Sequence, residues 1–138
     1  MECRFLPTRR LLLSGVATLA LPVHASEAPD GRFIAEAFRM RDEAVRAGDQ
    51  AYGAVVVQDG AILGYGPSRV IADRNSDAHA ERVALWAAQK AVGRQRLDGA
   101  VIYSSSIPCS ACQRALAAAG VARMYYGAAG TEGGAPRG

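Results

Sequence analysis

The chain has 138 residues, half of them apolar and 21% charged, with 16 basic against 13 acidic side chains. That length allows one domain with a real core, and the composition is that of an ordinary globular protein. Arg4, Arg9, Arg10 and Glu2 fall within residues 1–25, so the remainder carries 13 basic and 12 acidic side chains, a total that excludes a strongly basic nucleic-acid footprint.

Residues 1–25 have the order of an export signal. A basic start with Arg4, Arg9 and Arg10 precedes the uncharged run Leu11 to Leu21, and Val23-His24-Ala25 resembles a small-x-small cleavage site. The run is too short to span a bilayer as a helix. Thr8-Arg9-Arg10-Leu11-Leu12-Leu13 further resembles a twin-arginine signal, whose route carries folded proteins to the periplasm. A metal site is a physical reason to fold before export. Cys3 belongs to this segment, leaving Cys109 and Cys112 in the body of the chain. Two cysteines at that spacing are a metal pair or a redox pair, not a disulfide framework.

Ser26 to Gly31 is a polar connector. From Arg32 to Ala47, apolar residues at Phe33, Ala37, Met40, Ala44 and Ala47 recur at helical steps, and Gly48 closes the helix. Gly53 to Gln58 is a continuous apolar run, the pattern of a strand covered on both faces. Asp59-Gly60 is a hairpin signal, and Ala61 to Tyr65 returns as the antiparallel partner. A polar loop, Gly66 to Asp77, leads to a helix over His79 to Val92 with Asp77 as its cap. A strand over Gly99 to Ser104 is followed by a turn, and a helix from Pro108 runs to Ala119. Ala122 to Tyr126 is a fourth strand, and 128–138 reads as a Gly-rich flexible tail. After the hairpin, strands alternate with helices, which implies parallel strands in an α/β layered domain around a mixed sheet.

Two segments carry chemistry: His79-Ala80-Glu81 and Pro108-Cys109-Ser110-Ala111-Cys112. Both fall at helix starts, where partial positive charge favours thiolate. Cys109 and Cys112 share one side of a turn, and His79 completes three ligands. A Cys, Cys and His set leaves one tetrahedral position open for water, the catalytic pattern of zinc. Such water is acidified toward neutrality, and a carboxylate at Glu81 can shuttle its proton. A His-x-Glu followed by Pro-Cys-x-x-Cys is the signature of zinc deaminases. A thioredoxin-like redox pair at Cys109 and Cys112 is the alternative, and it predicts a reversible disulfide without metal.

From about Arg32 to Gly127 the chain resembles the cytidine-deaminase-like superfamily, in the branch with a His ligand that includes guanine deaminases, tRNA adenosine deaminases and deoxycytidylate deaminases. The landmarks are Tyr52-Gly53-Ala54-Val55-Val56-Val57, Asp59-Gly60, Ala78-His79-Ala80-Glu81, Ala84-Leu85, Leu97-Asp98-Gly99, Tyr103, Pro108-Cys109-x-x-Cys112 and Tyr125-Tyr126-Gly127. The resemblance implies a three-layer α/β/α fold with a mixed sheet of at least four strands, zinc on His79, Cys109 and Cys112, a proton shuttle at Glu81, and a homodimer. It implies that Gly53, Ala54, Ala80 and the residue at position 68 contact the substrate. Purine-acting relatives typically have Asn where this chain has Ser68, and the family's usual Glu before Pro-Cys is Ile107 here. Relatives generally continue with a further strand and helix where this chain has Gly130-Thr131-Glu132-Gly133-Gly134, so the fold is expected to be C-terminally shortened. The expected organisation is a signal over 1–25, a zinc deaminase domain over 26–127 and a tail. The expected activity is zinc-dependent hydrolytic release of ammonia from a nucleobase, nucleoside or related small amino-heterocycle, with a degenerate zinc-binding or partner-binding relative as the alternative.

Overall fold

A computed structural model describes residues 15–17 and 28–138; the export signal expected over residues 1–25 lies almost wholly outside the described residues. The elements are α1 (Gly31–Arg46), β1 (Gly53–Gln58), β2 (Ala61–Pro67), α2 (Ala80–Val92), β3 (Val101–Ser104), α3 (Ser110–Ala118), β4 (Arg123–Tyr126) and β5 (Thr131–Gly134). They form one mixed sheet in the order β2-β1-β3-β4-β5. β1 is antiparallel to both β2 and β3, whereas β3 and β4 are parallel. The parallel set expected from the strand–helix alternation is thus β2, β3 and β4, with β1 inserted against the grain between the first two. The reason is the Asp59-Gly60 turn, with φ of 51° and 74°, which folds β2 back along β1.

The stretch 128–138, expected as a Gly-rich flexible tail, instead contains a fifth strand. Thr131–Gly134 form β5, antiparallel to β4, after a turn at Gly127–Gly130 in which Gly130 N–H donates to Gly127 C=O. Those glycines have φ of 74° and 61°, so the composition that reads as a tail is what the turn requires.

Alternation along β1 sorts its side chains between two cores. Val55 and Val57 pack with Ala37 and Met40 of α1, and with Tyr103 and Tyr125. Ala54 and Val56 face Ala80, Ala84 and Ala88 of α2, together with Ile102, Leu116 and Met124. The sheet is therefore covered by α1 on one side and by α2 and α3 on the other, in three layers. Ile102, Leu116, Val55 and Val56 are fully buried, each worth about 1.5–3 kcal/mol.

α1 is capped by Asp30, whose carboxylate accepts from Arg32 N–H at 2.9 Å, while Asp30 N–H donates to the Tyr103 hydroxyl at 3.1 Å. Phe33, Tyr103 and Tyr125 pack in series as tilted rings, with centroids 5.4 and 5.1 Å apart. α2 sits unusually close to β2. A Cβ at Gly64 or Gly66 would run into the α2 backbone at Ala84–Ala88 and Ala80–Ala84 respectively. Two glycines on one face of a strand, opposed by alanines four apart on a helix, let the two backbones approach. That close seat fixes where the start of α2 lies.

Candidate metal centre

His79, not Asp77, is the N-cap of α2, in extended conformation at φ −62° and ψ 152° and with no side-chain capping bond. Its imidazole is thereby released from the helix surface and turned toward α3. Asp77 instead pairs with Arg82 at 3.0 Å. α3 begins at Ser110 rather than Pro108, with Cys109 as its N-cap. The Cys109 sulfur accepts from Cys112 N–H at 3.5 Å, so it holds the first turn of α3 while remaining available as a ligand.

The two helix starts converge. His79 Nδ1 lies 3.6 Å from Cys109 Sγ and 3.5 Å from Cys112 Sγ, and all three ligand atoms fall within 4.8 Å of one another. Tetrahedral zinc, with bonds of about 2.0 Å to nitrogen and 2.3 Å to sulfur, sets such atoms about 3.6 Å apart. The residues therefore fit zinc in spacing as well as in chemistry. The cysteines are not joined to each other. Burial, and after it the Glu81 carboxylate, pushes the Cys112 thiol well above the usual thiol range, so a thiolate there needs a cation beside it. Three protein ligands leave the fourth position open.

Glu81, in the first turn of α2, is 5% exposed and lines the same cavity as His79 and Cys109. Ser104, at the end of β3 and equally buried, donates its hydroxyl to Glu81 Oε1 at 2.8 Å. Burial pushes the Glu81 carboxyl up, against the opposing effect of its own backbone N–H and the Ser104 hydroxyl. A carboxyl held above its ordinary range by burial, with Oε1 fixed by Ser104, is suited to exchange a proton with a water beside it.

The cavity has a volume of about 590 Å³ and is lined by Gln50, Ala51, Tyr52, His79, Glu81, Ser106, Ile107 and Cys109. Ser105 positions the rim by a pair of bonds to the start of β1: Gly53 N–H donates to its hydroxyl at 3.0 Å, and its own N–H donates to Gly53 C=O at 2.8 Å. Ile107, 57% exposed, gives that rim an apolar edge.

The four expected substrate contacts are placed differently. Gly53 packs against α1, where a Cβ would collide with backbone at Ala37 and Met40–Arg41. Ala54 and Ala80 are fully buried in the core beneath α2. Ser68 is 2% exposed and donates to Asp49 Oδ1 at 3.1 Å. The same Asp49 carboxylate accepts from the N–H groups of Gln50, Ile71 and Ala72. Burial raises its pKa, but these bonds together outweigh that and hold it below the ordinary carboxylate value. Position 68 thus anchors the loop before α2. Gln50, Ala51 and Ser106, which do line the cavity, were missed because loop residues carry no periodicity. Ser104 was hidden inside an apolar strand pattern.

Residues 28–128 match the family described as the cytidine and deoxycytidylate deaminase zinc-binding region. The chain is 36% identical over 101 residues to a guanine deaminase of Bacillus subtilis, covering 72% of this chain and 65% of that protein. It is 39% identical over 83 residues to a tRNA-specific adenosine deaminase of Agrobacterium fabrum, covering 60% of this chain and 55% of the relative. The chain thus spans between about half and two thirds of the length of these relatives. Among solved structures, the B. subtilis guanine deaminase superposes with a TM-score of 0.69 at 34% identity, over 73% of this chain and 65% of that one. A structure from a study of A-to-I editing by tRNA:A34 deaminases gives 0.69 at 32% identity, over 71% of each chain. With the zinc-binding donor set and the layered sheet in place, the chain belongs to the cytidine and deoxycytidylate deaminase family.

Proposed function

We propose that this protein is a zinc-dependent hydrolytic deaminase of a free nucleobase, nucleoside or related small amino-heterocycle. The observation that carries the reading is the Glu81 carboxylate, buried in the wall of a cavity shared with His79 and Cys109 and fixed at one oxygen by Ser104. Zinc bound by His79, Cys109 and Cys112 supplies a water acidified toward neutral pH. Glu81, fixed at Oε1 by Ser104, would take a proton from water held there and return it to the ring nitrogen next to the reacting carbon. It then carries the second proton to the leaving amine, so that water and a ring C–NH2 become C=O and ammonia. Tyr52 and Ile107 give the mouth apolar surface, and Gln50 and Ser106 bring polar groups to it. The volume suits a small heterocycle.

The near-neutral charge after residue 25 supports a small molecule over a nucleic acid as substrate. A homodimer belongs to this reading only as what the family resemblance implies. Residues 1–25 support export by the twin-arginine route to the periplasm. No helix of the described residues is long and apolar enough to cross a membrane. A second reading, a zinc-binding relative without turnover, draws on Ile107 in place of Glu and on Ser68 turned to Asp49.

Zinc-loaded protein offered a panel of aminopurines, aminopyrimidines and their nucleosides should release ammonia from at least one, and Glu81→Ala should abolish it with zinc retained. No turnover on any member, with Glu81→Ala indistinguishable from wild type, refutes the enzyme and leaves the second reading. Protein that holds no zinc refutes both.

A further inference from the structure

Arg82 follows Glu81 in the first turn of α2, and its side chain is only 18% exposed. One arm of the guanidinium, Nη1, lies 3.0 Å from Asp77 Oδ1, and the other, Nη2, donates to the Ala111 carbonyl at 3.1 Å. Nε is buried and makes no hydrogen bond among the described residues. A surface arginine serving solubility would not bury an N–H without a partner, because that costs stability. The two partners explain why the group is there. Asp77 lies two residues before the ligand His79, and Ala111 lies between the ligands Cys109 and Cys112.

The ligand segments reach the metal from different helices. Outside helices and strands, the backbone hydrogen bonds of the described residues include none between residues 77–82 and 107–113. Beside the contacts of His79 with the two sulfurs, the Arg82 fork joins the segments by bonding Asp77 on one side and the Ala111 carbonyl on the other. A guanidinium is planar and its donors have fixed directions, so one bonded to both sides sets their spacing. Lysine, a point charge on a flexible stem, cannot do this at two sites in fixed geometry.

We propose that Arg82 is a positioning residue of the zinc centre, whose guanidinium spans the His79 segment and the Cys109–Cys112 turn and holds the three ligand atoms at metal-binding distance before the metal arrives. Pre-placed ligands lose less freedom on binding, so the fork raises zinc affinity without touching zinc. The inference rests on the metal centre and not on the deaminase reading, so it stands or falls independently of turnover.

The test is zinc affinity of the full chain by competition with a chromophoric chelator, for wild type, Arg82→Met, Arg82→Lys and Asp77→Asn. Denaturant unfolding of each metal-free protein runs in parallel. Arg82→Met keeps the apolar stem and removes both arms, and should weaken zinc binding about 10–100-fold, the range for outer partners of metal ligands. Arg82→Lys should fall between it and wild type, and Asp77→Asn, which weakens only the exposed arm, should lose least. Cobalt substituted for zinc should show altered d–d bands in Arg82→Met, a signature that loss of packing alone does not give. Wild-type zinc affinity in Arg82→Met, whatever its stability, overturns the proposal. Should that variant not fold, wild-type affinity in both Arg82→Lys and Asp77→Asn overturns it equally.

Discussion

Gly66→Ala tests whether the seat of α2 on β2 sets the metal centre. A Cβ at position 66 would lie 2.5 Å from Ala84 N and 2.8 Å from Ala84 Cβ, with the Ala80 carbonyl closer still. Ordinary contact is about 3.4–4 Å, and the obstructing atoms are mostly helix backbone, so α2 must lift by on the order of 1 Å. Overpacking costs about 1–3 kcal/mol, and the upper end applies where no flexible side chain can yield. At about 4–8 °C per kcal/mol in a domain near this size, the melting temperature should fall by roughly 10 °C or more. Because Ala80 directly follows His79, the same shift pulls Nδ1 away from the two sulfurs, so zinc affinity should fall as well. Gly31→Ala is the control. Its Cβ meets nothing within 4 Å at the start of α1, and it should be neutral or slightly stabilising. Thermal unfolding and chelator competition on both variants decide the matter. Gly66→Ala matching Gly31→Ala in both measurements would show that the close approach does not position the ligands.

Two further outcomes follow from single bonds. Ser104→Ala removes the donor on Glu81 Oε1 and should lower kcat about 10–100-fold with KM little changed, equivalent to the about 1.5–3 kcal/mol of a hydrogen bond to a charged group; Ser104→Thr should restore it, and unaltered kcat in the alanine variant shows that the bond does not orient the carboxylate. Asp49→Ala frees the loop from Ser68 to Ala72 and should cost about 1 kcal/mol at neutral pH. Since the folded carboxyl lies below its ordinary value of 3.8, that contribution is present above this value and is lost as pH falls through the lower folded one. The melting difference between wild type and Asp49→Ala should therefore shrink on acidification below about pH 4, and a constant difference from pH 7 to 3 would contradict the assignment.

Much of this was legible in the linear chain because it depends on local rules. The period of α1, the two-sided apolar run of β1 and the Asp59-Gly60 turn are each encoded within a few residues. So is the metal donor set, since Cys109 and Cys112 share a turn by spacing alone, and His79 and Glu81 stand two apart in another. Where reading failed, the deciding interaction was long-range. Thr131–Gly134 has one strand-forming side chain, Thr131, beside a glutamate and two glycines, and it becomes β5 by pairing along the edge of β4. Asp77 has the chemistry of a cap, but the requirement that His79 reach two sulfurs thirty residues away puts the cap at His79. Ser68 and Gly53 have positions in the chain that suggest a substrate pocket; their contacts are with Asp49 and with α1.

The sequence by itself determined which atoms can bind the metal and which carboxylate stands beside them, because ligand type and helical spacing are properties of short segments. Only the tertiary structure decided that the two segments meet at 3.5–3.6 Å, that Ser104 holds Glu81, and that Gln50, Ser106 and Ile107 rather than Gly53, Ala54, Ser68 and Ala80 face the cavity. Those outcomes depend on how closely glycine lets α2 approach β2 and on which loops the sheet order brings together. Neither is a property of any one stretch of chain.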